Sequence, residues 1–191
     1  MVVRRKVLFI ALINAIYFVV EFYFGRKFNS VSLISDSVDF LEDASINLLI
    51  AFAIGWSLRK RIVTGYILAV ILLIPGVAFL WNAIDQILSP EIPDGTGMGI
   101  VAFGALLVNL FCAYLLWDHK HHDGGLVKAA YFSARNDAVA NVLTIIAGVV
   151  TLMTVSVIPD LVIGIAIFLL NASAAKEVLS AAKRESGNAQ L

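Results

Sequence analysis

Cysteine is nearly absent: Cys112 is the single one in 191 residues. That excludes an intrachain disulfide framework and any CxxC metal site. Cys112 falls in an apolar run and reads as a small packing residue. Charge is scarce too, at 15% of residues, with 14 basic and 14 acidic side chains and a formal net charge of zero. No basic patch for nucleic acid, no Gly-rich phosphate loop and no Ser-His-Asp arrangement is visible, so nucleotide-driven work and hydrolytic catalysis have no sequence basis. No signal peptide is evident either. The apolar stretch after Arg4, Arg5 and Lys6 runs on to about Phe24 and reads as a retained membrane span. What the chain has in abundance is apolar side chains, 60% of the total. That is too apolar for a soluble domain and marks an integral membrane protein.

A bilayer span takes about 20 mostly apolar residues. The sequence offers six such runs: Val7–Phe24, Leu33–Leu58, Val63–Leu88, Met98–Trp117, Leu126–Met153 and Val155–Leu170. The third holds Pro75-Gly76, a kink signal. The sixth opens on Pro159-Asp160, where proline suits a first turn and aspartate suits the positive end of its own helix. Basic residues cluster before span one (Arg4, Arg5, Lys6), between two and three (Arg59, Lys60, Arg61), between four and five (Lys120, Lys128) and after six (Lys176, Lys183, Arg184). All lie on one side of a six-span chain. By the positive-inside rule both termini are cytoplasmic and the protein sits in the inner membrane. The expected fold is therefore all-α, with a six-helix transmembrane domain over residues 1–171 and a short polar helical tail over 172–191.

Into this apolar background span two brings four carboxylates: Asp36, Asp39, Glu42 and Asp43. A charged side chain at the bilayer centre costs at least about 2.5–3.5 kcal/mol, so such groups mark ion pathways or ion sites. Asp39 and Asp43 are spaced i, i+4 and share a helix face, near which Asp36 and Asn47 also fall, while Glu42 points elsewhere. Span five echoes the pattern. Asp43-Ala-x-x-Asn47 matches Asp137-Ala-x-x-Asn141, which sets Asp39 on Ser133. In a six-span topology spans two and five run in opposite directions, as in transporters built from inverted repeats. Clustered buried carboxylates repel one another, and protons and a divalent cation then compete for the same oxygens. That competition is the physical basis of metal/proton exchange. An all-oxygen set leans towards Mn²⁺, Fe²⁺ or Mg²⁺ and also accepts Zn²⁺ and Co²⁺.

Six spans with cytoplasmic termini, and the stretch Ser32-Leu-Ile-Ser-Asp36-Ser-Val-Asp39-Phe-Leu-Glu42-Asp43 leading span two, resemble the cation diffusion facilitator, or cation efflux, family. The resemblance implies a transport site of paired [His/Asp]-x-x-x-Asp motifs on spans two and five. Carried over, Asp39 and Asp43 fill the first pair, Asp137 fills the acidic position of the second, and Ser133 stands where the family usually has His or Asp. It implies export of a divalent transition metal by proton antiport, with the metal as substrate, no prosthetic group, no enzymatic activity, and a homodimer. Family members usually continue into a ferredoxin-like cytoplasmic domain. The residues after span six are too few for one, which leaves membrane contacts to hold a dimer. A non-transporting accessory or metal-sensing module of the same architecture is the alternative.

Around this core stand residues with two readings each. Asp36 is a vestibule group or an interfacial one. Glu42 pairs with Arg135 or faces a polar crevice, and Arg135 is the counter-charge to the acidic cluster. Asn47 and Asn141 support the carboxylates or bond between helices. Asn14 and Glu21 in span one read as helix–helix contacts. His119, His121 and His122 form a loop that either collects metal or is simply solvated. Trp56, Trp81 and Trp117 read as interface anchors.

Overall fold

The computed structural model describes residues 2–53, 63, 67, 77–117 and 125–169. All regular structure among them is helical. The helices are α1 (Val2–Lys27), α2 (Val31–Ala53), α3 (Val77–Leu88), α4 (Gly95–Leu116), α5 (Gly125–Thr154) and α6 (Ile158–Leu169). Trp56, Pro75-Gly76, the His119–His122 loop and the 172–191 tail lie outside the described residues.

Three helical stretches are long and apolar enough to cross a membrane on their own: Arg4–Lys27, Gly95–Leu116 and Ala130–Thr154. The helix α2 is too rich in carboxylates to qualify by composition, and its surroundings explain how it is tolerated. Every residue from 31 to 40 is buried. Apolar side chains of its neighbours face outward instead, among them Leu12, Ile16 and Val19 on α1, Phe103 and Leu107 on α4, and Val139 and Ile146 on α5. The bundle buries its polar groups among apolar cores and turns apolar side chains outward, the arrangement that lipid favours.

The helices α1 and α2 form a tight antiparallel pair. Asn29 takes a left-handed conformation at φ 56°. Ser30 N–H then bonds Gly25 O at 2.9 Å and Asn29 N–H reaches Arg26 O at 3.4 Å. That pairing closes α1 with a Schellman turn, and asparagine tolerates its left-handed position. Along the pair, Tyr17 meets Phe40 with ring centroids 4.9 Å apart. Further along, a Cβ on Gly25 would meet Ile34 and Leu33. This register sets Glu21 across from Asp36 and Asn14 level with Asp43.

Span four begins earlier than its hydropathy predicts. Asp94 is the N-cap of α4, its Oδ1 accepting from Thr96 N–H at 3.1 Å and Gly97 N–H at 3.0 Å. Asp94→Ala is expected to lower stability by about 1 kcal/mol, checked by thermal unfolding in detergent. Where α4 crosses α5, a Cβ on Gly95 would stand 2.5 Å from Gly148 O, so only glycine permits this approach.

Asp160 stands in the first turn of α6, as expected, and its carboxylate also reaches a second helix. From α6 it caps α2: Oδ1 accepts from Ser30 Oγ at 2.8 Å, Ser32 N–H at 3.0 Å and Ser32 Oγ, and Oδ2 accepts from Val31 N–H at 2.6 Å. The first N–H groups of a buried helix need acceptors, and a carboxylate supplies several at once. A Cβ on Gly164 would meet Val31 C and Ser32 N at 2.8 Å, so a bare glycine lets α6 come close enough for Asp160 to reach. The cap also accounts for α2 starting at Val31, ahead of the expected Leu33. Beside it, Phe79 of α3 stacks on Phe168 of α6 with centroids 4.3 Å apart, over a core of Val31, Ile34 and Ala83. At the opposite end Cys112 is buried among Val7, Ile10, Ala51, Leu116 and Ala134, a packing residue as expected.

Candidate metal site between helices two and five

The helices α2 and α5 run antiparallel, and two hydrogen bonds fix their register. Ser133 Oγ donates to Asp43 Oδ1 at 2.8 Å. Two turns along, Asn141 Nδ2 donates to Asp36 Oδ2. The rung between these bonds belongs to Asp39 and Asp137. Both line one cavity of about 430 Å³, together with Glu42, Ser133 and Asn136, with Ala166 and Ile167 of α6 closing one wall. The antiparallel direction thus crosses the two motifs. The first member of each faces the second member of the other, so Asp43 meets Ser133 and Asp39 faces Asp137.

Asp39 is 5% exposed and Asp43 2% exposed. Asp39, Asp137 and Ser133 open on the shared cavity, and Asp43 stands behind it, joined through the Ser133 hydroxyl. Among the described residues no three His, Cys, Asp or Glu side chains are gathered closely enough to grip one ion. The carboxylates form a lining rather than a closed cage. A cation held by Asp39 and Asp137 would draw Asp43 in only after the Ser133 hydroxyl turned away.

Several neighbouring residues differ from their expected places. Glu42 does not point away from Asp39 but lines the same cavity, the polar crevice of its second reading, because a residue three positions after Asp39 lies only about 60° around the helix. Arg135 is not its counter-charge. The guanidinium is exposed, lies 4.9 Å from the Phe132 ring centroid and donates to Asn136 Oδ1 at 3.4 Å. Asp36 is neither vestibular nor interfacial but fully buried. The two asparagines of the echo part company. Asn47 Nδ2 donates to the backbone carbonyl of Asp43 at 2.8 Å, within its own helix. Asn141 bonds across helices, giving to Asp36 and accepting from Asn109 Nδ2 of α4 at 3.0 Å. Asn109 and Asn136 escaped the sequence reading. A lone amide in the apolar run of α4 was the available signal for Asn109, while nothing in its spacing singles out Asn136.

Carboxylates facing one another across a cavity, on helices that turn apolar side chains outward, mark a membrane protein. The comparisons agree. A family model of the cation efflux transmembrane domain matches residues 7–181, and the chain belongs to the cation efflux family, whose members are transmembrane proteins and not enzymes. It is 27% identical over 162 residues to zinc transporter ZitB of Yersinia pseudotuberculosis, covering 78% of this chain and 52% of that protein. It is 25% identical over 179 residues to zinc transporter ZitB of Escherichia coli K12, covering 87% and 57% respectively. A Pectobacterium atrosepticum protein of the same name is 25% identical over 162 residues. The chain spans about half the length of the curated relatives it matches.

Proposed function

We propose that the protein exports a divalent transition metal from the cytoplasm across the inner membrane, in exchange for protons. The observation that carries this reading is the Asp39–Asp137 cavity between α2 and α5, flanked by the Asp43–Ser133 bond. Two facing carboxylates neutralise a divalent ion, and Asp43 or a water completes its shell with Ser133 as a weak neutral oxygen. When the ion leaves, the same oxygens take up protons, so a proton gradient can drive the metal outward. Zinc is the first metal to test, because the relatives are named zinc transporters. Mn²⁺, Fe²⁺ and Co²⁺ follow from the oxygen donors. A six-span topology with cytoplasmic termini, the domain over 1–171 with its tail over 172–191, and a homodimer complete the proposal.

The test is metal flux in proteoliposomes across an imposed pH gradient. Flux of at least one of these metals that requires the gradient supports the reading. Folded protein that moves none of them contradicts it and favours an accessory or metal-sensing role.

A further inference from the structure

Glu21 is a buried carboxyl group that the metal site does not use. It lies in α1 with no exposed surface, and among the described residues neither of its carboxylate oxygens has a hydrogen-bond donor. Across the α1–α2 register stands Asp36, equally buried, whose Oδ2 is held by Asn141 while Oδ1 is unpartnered. Tyr17 cannot serve as donor, because its hydroxyl is committed to Val101 O at 2.6 Å. Two carboxylates facing one another in a dry interior cannot both remain anionic without a partner. A single proton resolves the arrangement. It turns one orphaned acceptor into a donor and gives the other its hydrogen bond.

We infer that Glu21 and Asp36 form a proton-binding site separate from the metal carboxylates and linked to them through Asn141. The link is short. Asn141 lies one helical turn beyond Asp137 on α5, and Asp36 lies just under one turn before Asp39 on α2. A change of charge at Asp39 and Asp137 is therefore felt at the pair, and a proton gained or lost there shifts the balance at the metal cavity. The titratable groups facing the pair are Tyr17 on α1, Asp39 on α2 and Asp137 on α5, and α4 contributes the neutral Asn109. No basic side chain among these offsets the negative charge, so a proton is the fitting occupant. The inference rests on the transport reading: the pair would carry a driving proton in addition to those that replace the metal on Asp39 and Asp137.

Two measurements on the full chain test it. The first compares wild type with Glu21→Gln for Zn²⁺ affinity at fixed pH and for Zn²⁺ flux driven by a pH gradient. Glutamine keeps the shape and cannot release a proton. The variant is expected to keep its Zn²⁺ affinity while gradient-driven flux falls about tenfold or more. Wild-type gradient dependence, or a loss of affinity parallel to the loss of flux, would overturn the inference. The second is infrared spectroscopy of the zinc-free chain at neutral pH, with each variant subtracted from wild type. A carboxylic-acid C=O stretch should be present in wild type and missing in Glu21→Gln and in Asp36→Asn. Its absence from wild type would overturn the inference. Should wild type show no metal flux at all, the transport reading fails and the infrared band alone decides whether the pair holds a proton.

Discussion

Asp137→Asn is expected to lower metal flux by about 100-fold or more, since even groups that only support metal ligands cost 10–100-fold when removed. The substitution is nearly isosteric, so the α5 backbone and the cavity shape persist. What changes is charge. A divalent cation leaving water for the cavity is compensated by Asp39 and Asp137 facing one another across the α2–α5 rung. With an amide at one side, half of that compensation is gone and the ion meets a net positive site in a low-dielectric surround. Asp39→Asn is expected to match it. Ser133→Ala should act differently. The serine hydroxyl holds Asp43 by one hydrogen bond at 2.8 Å and is a poor ligand in its own right, so its loss is worth about 1–3 kcal/mol at most. Zinc uptake into proteoliposomes, with the variants folded and at equal density, checks all three. Near-wild-type flux in Asp137→Asn would remove the residue from the metal path.

Asp160→Ala is expected to destabilise the protein by about 3 kcal/mol or more, because it removes the shared acceptor of two backbone N–H groups and two serine hydroxyls in a dry interior. The donors concerned are Val31 N–H, Ser32 N–H, Ser30 Oγ and Ser32 Oγ. No water is at hand to replace the carboxylate there, since Ser30, Val31, Ser32 and Asp160 are all without exposed surface. The damage should spread past the cap. Asp160 joins α6 to the start of α2, and α2 carries the carboxylates five to twelve residues after Val31. Asp160→Asn keeps one acceptor oxygen and should lose clearly less. Thermal unfolding in detergent by circular dichroism measures both. Equal melting temperatures for wild type and Asp160→Ala would show that the α2 N-terminus does not depend on this cap.

The metal candidates were legible because carboxylates in an apolar helix are hard to explain any other way. Asp39, Asp43 and Asp137 needed no structure to be noticed. The way they meet was less legible. Aligning one motif on the other sets like beside like, whereas antiparallel helices cross the pairs, and the Asp43–Ser133 bond comes from that crossing. Asp160 was assigned to its own helix because a sequence rule for a helix start knows only the residues next to it. The partners of its carboxylate lie about 130 positions away. Asn14 and Glu21 read as helix–helix contacts, yet their side-chain polar atoms lack hydrogen-bond partners among the described residues. Spacing gives the face of a helix, and cannot say whether a donor waits on the other side. Asp94 shows the opposite case. Its Asp-Gly-Thr-Gly context is a local cap signal, available in the sequence and overshadowed by the hydropathy of the run that follows.

The most direct test of a carboxylate metal site across α2 and α5 is X-ray absorption at the zinc edge, on the full chain loaded with one equivalent of Zn²⁺. The account predicts a first shell of oxygen atoms at about 2.0–2.2 Å, changed in Asp39→Asn and in Asp137→Asn alike. Imidazole scattering, unaltered by either substitution, would place the ion on the His119–His122 loop and contradict the account.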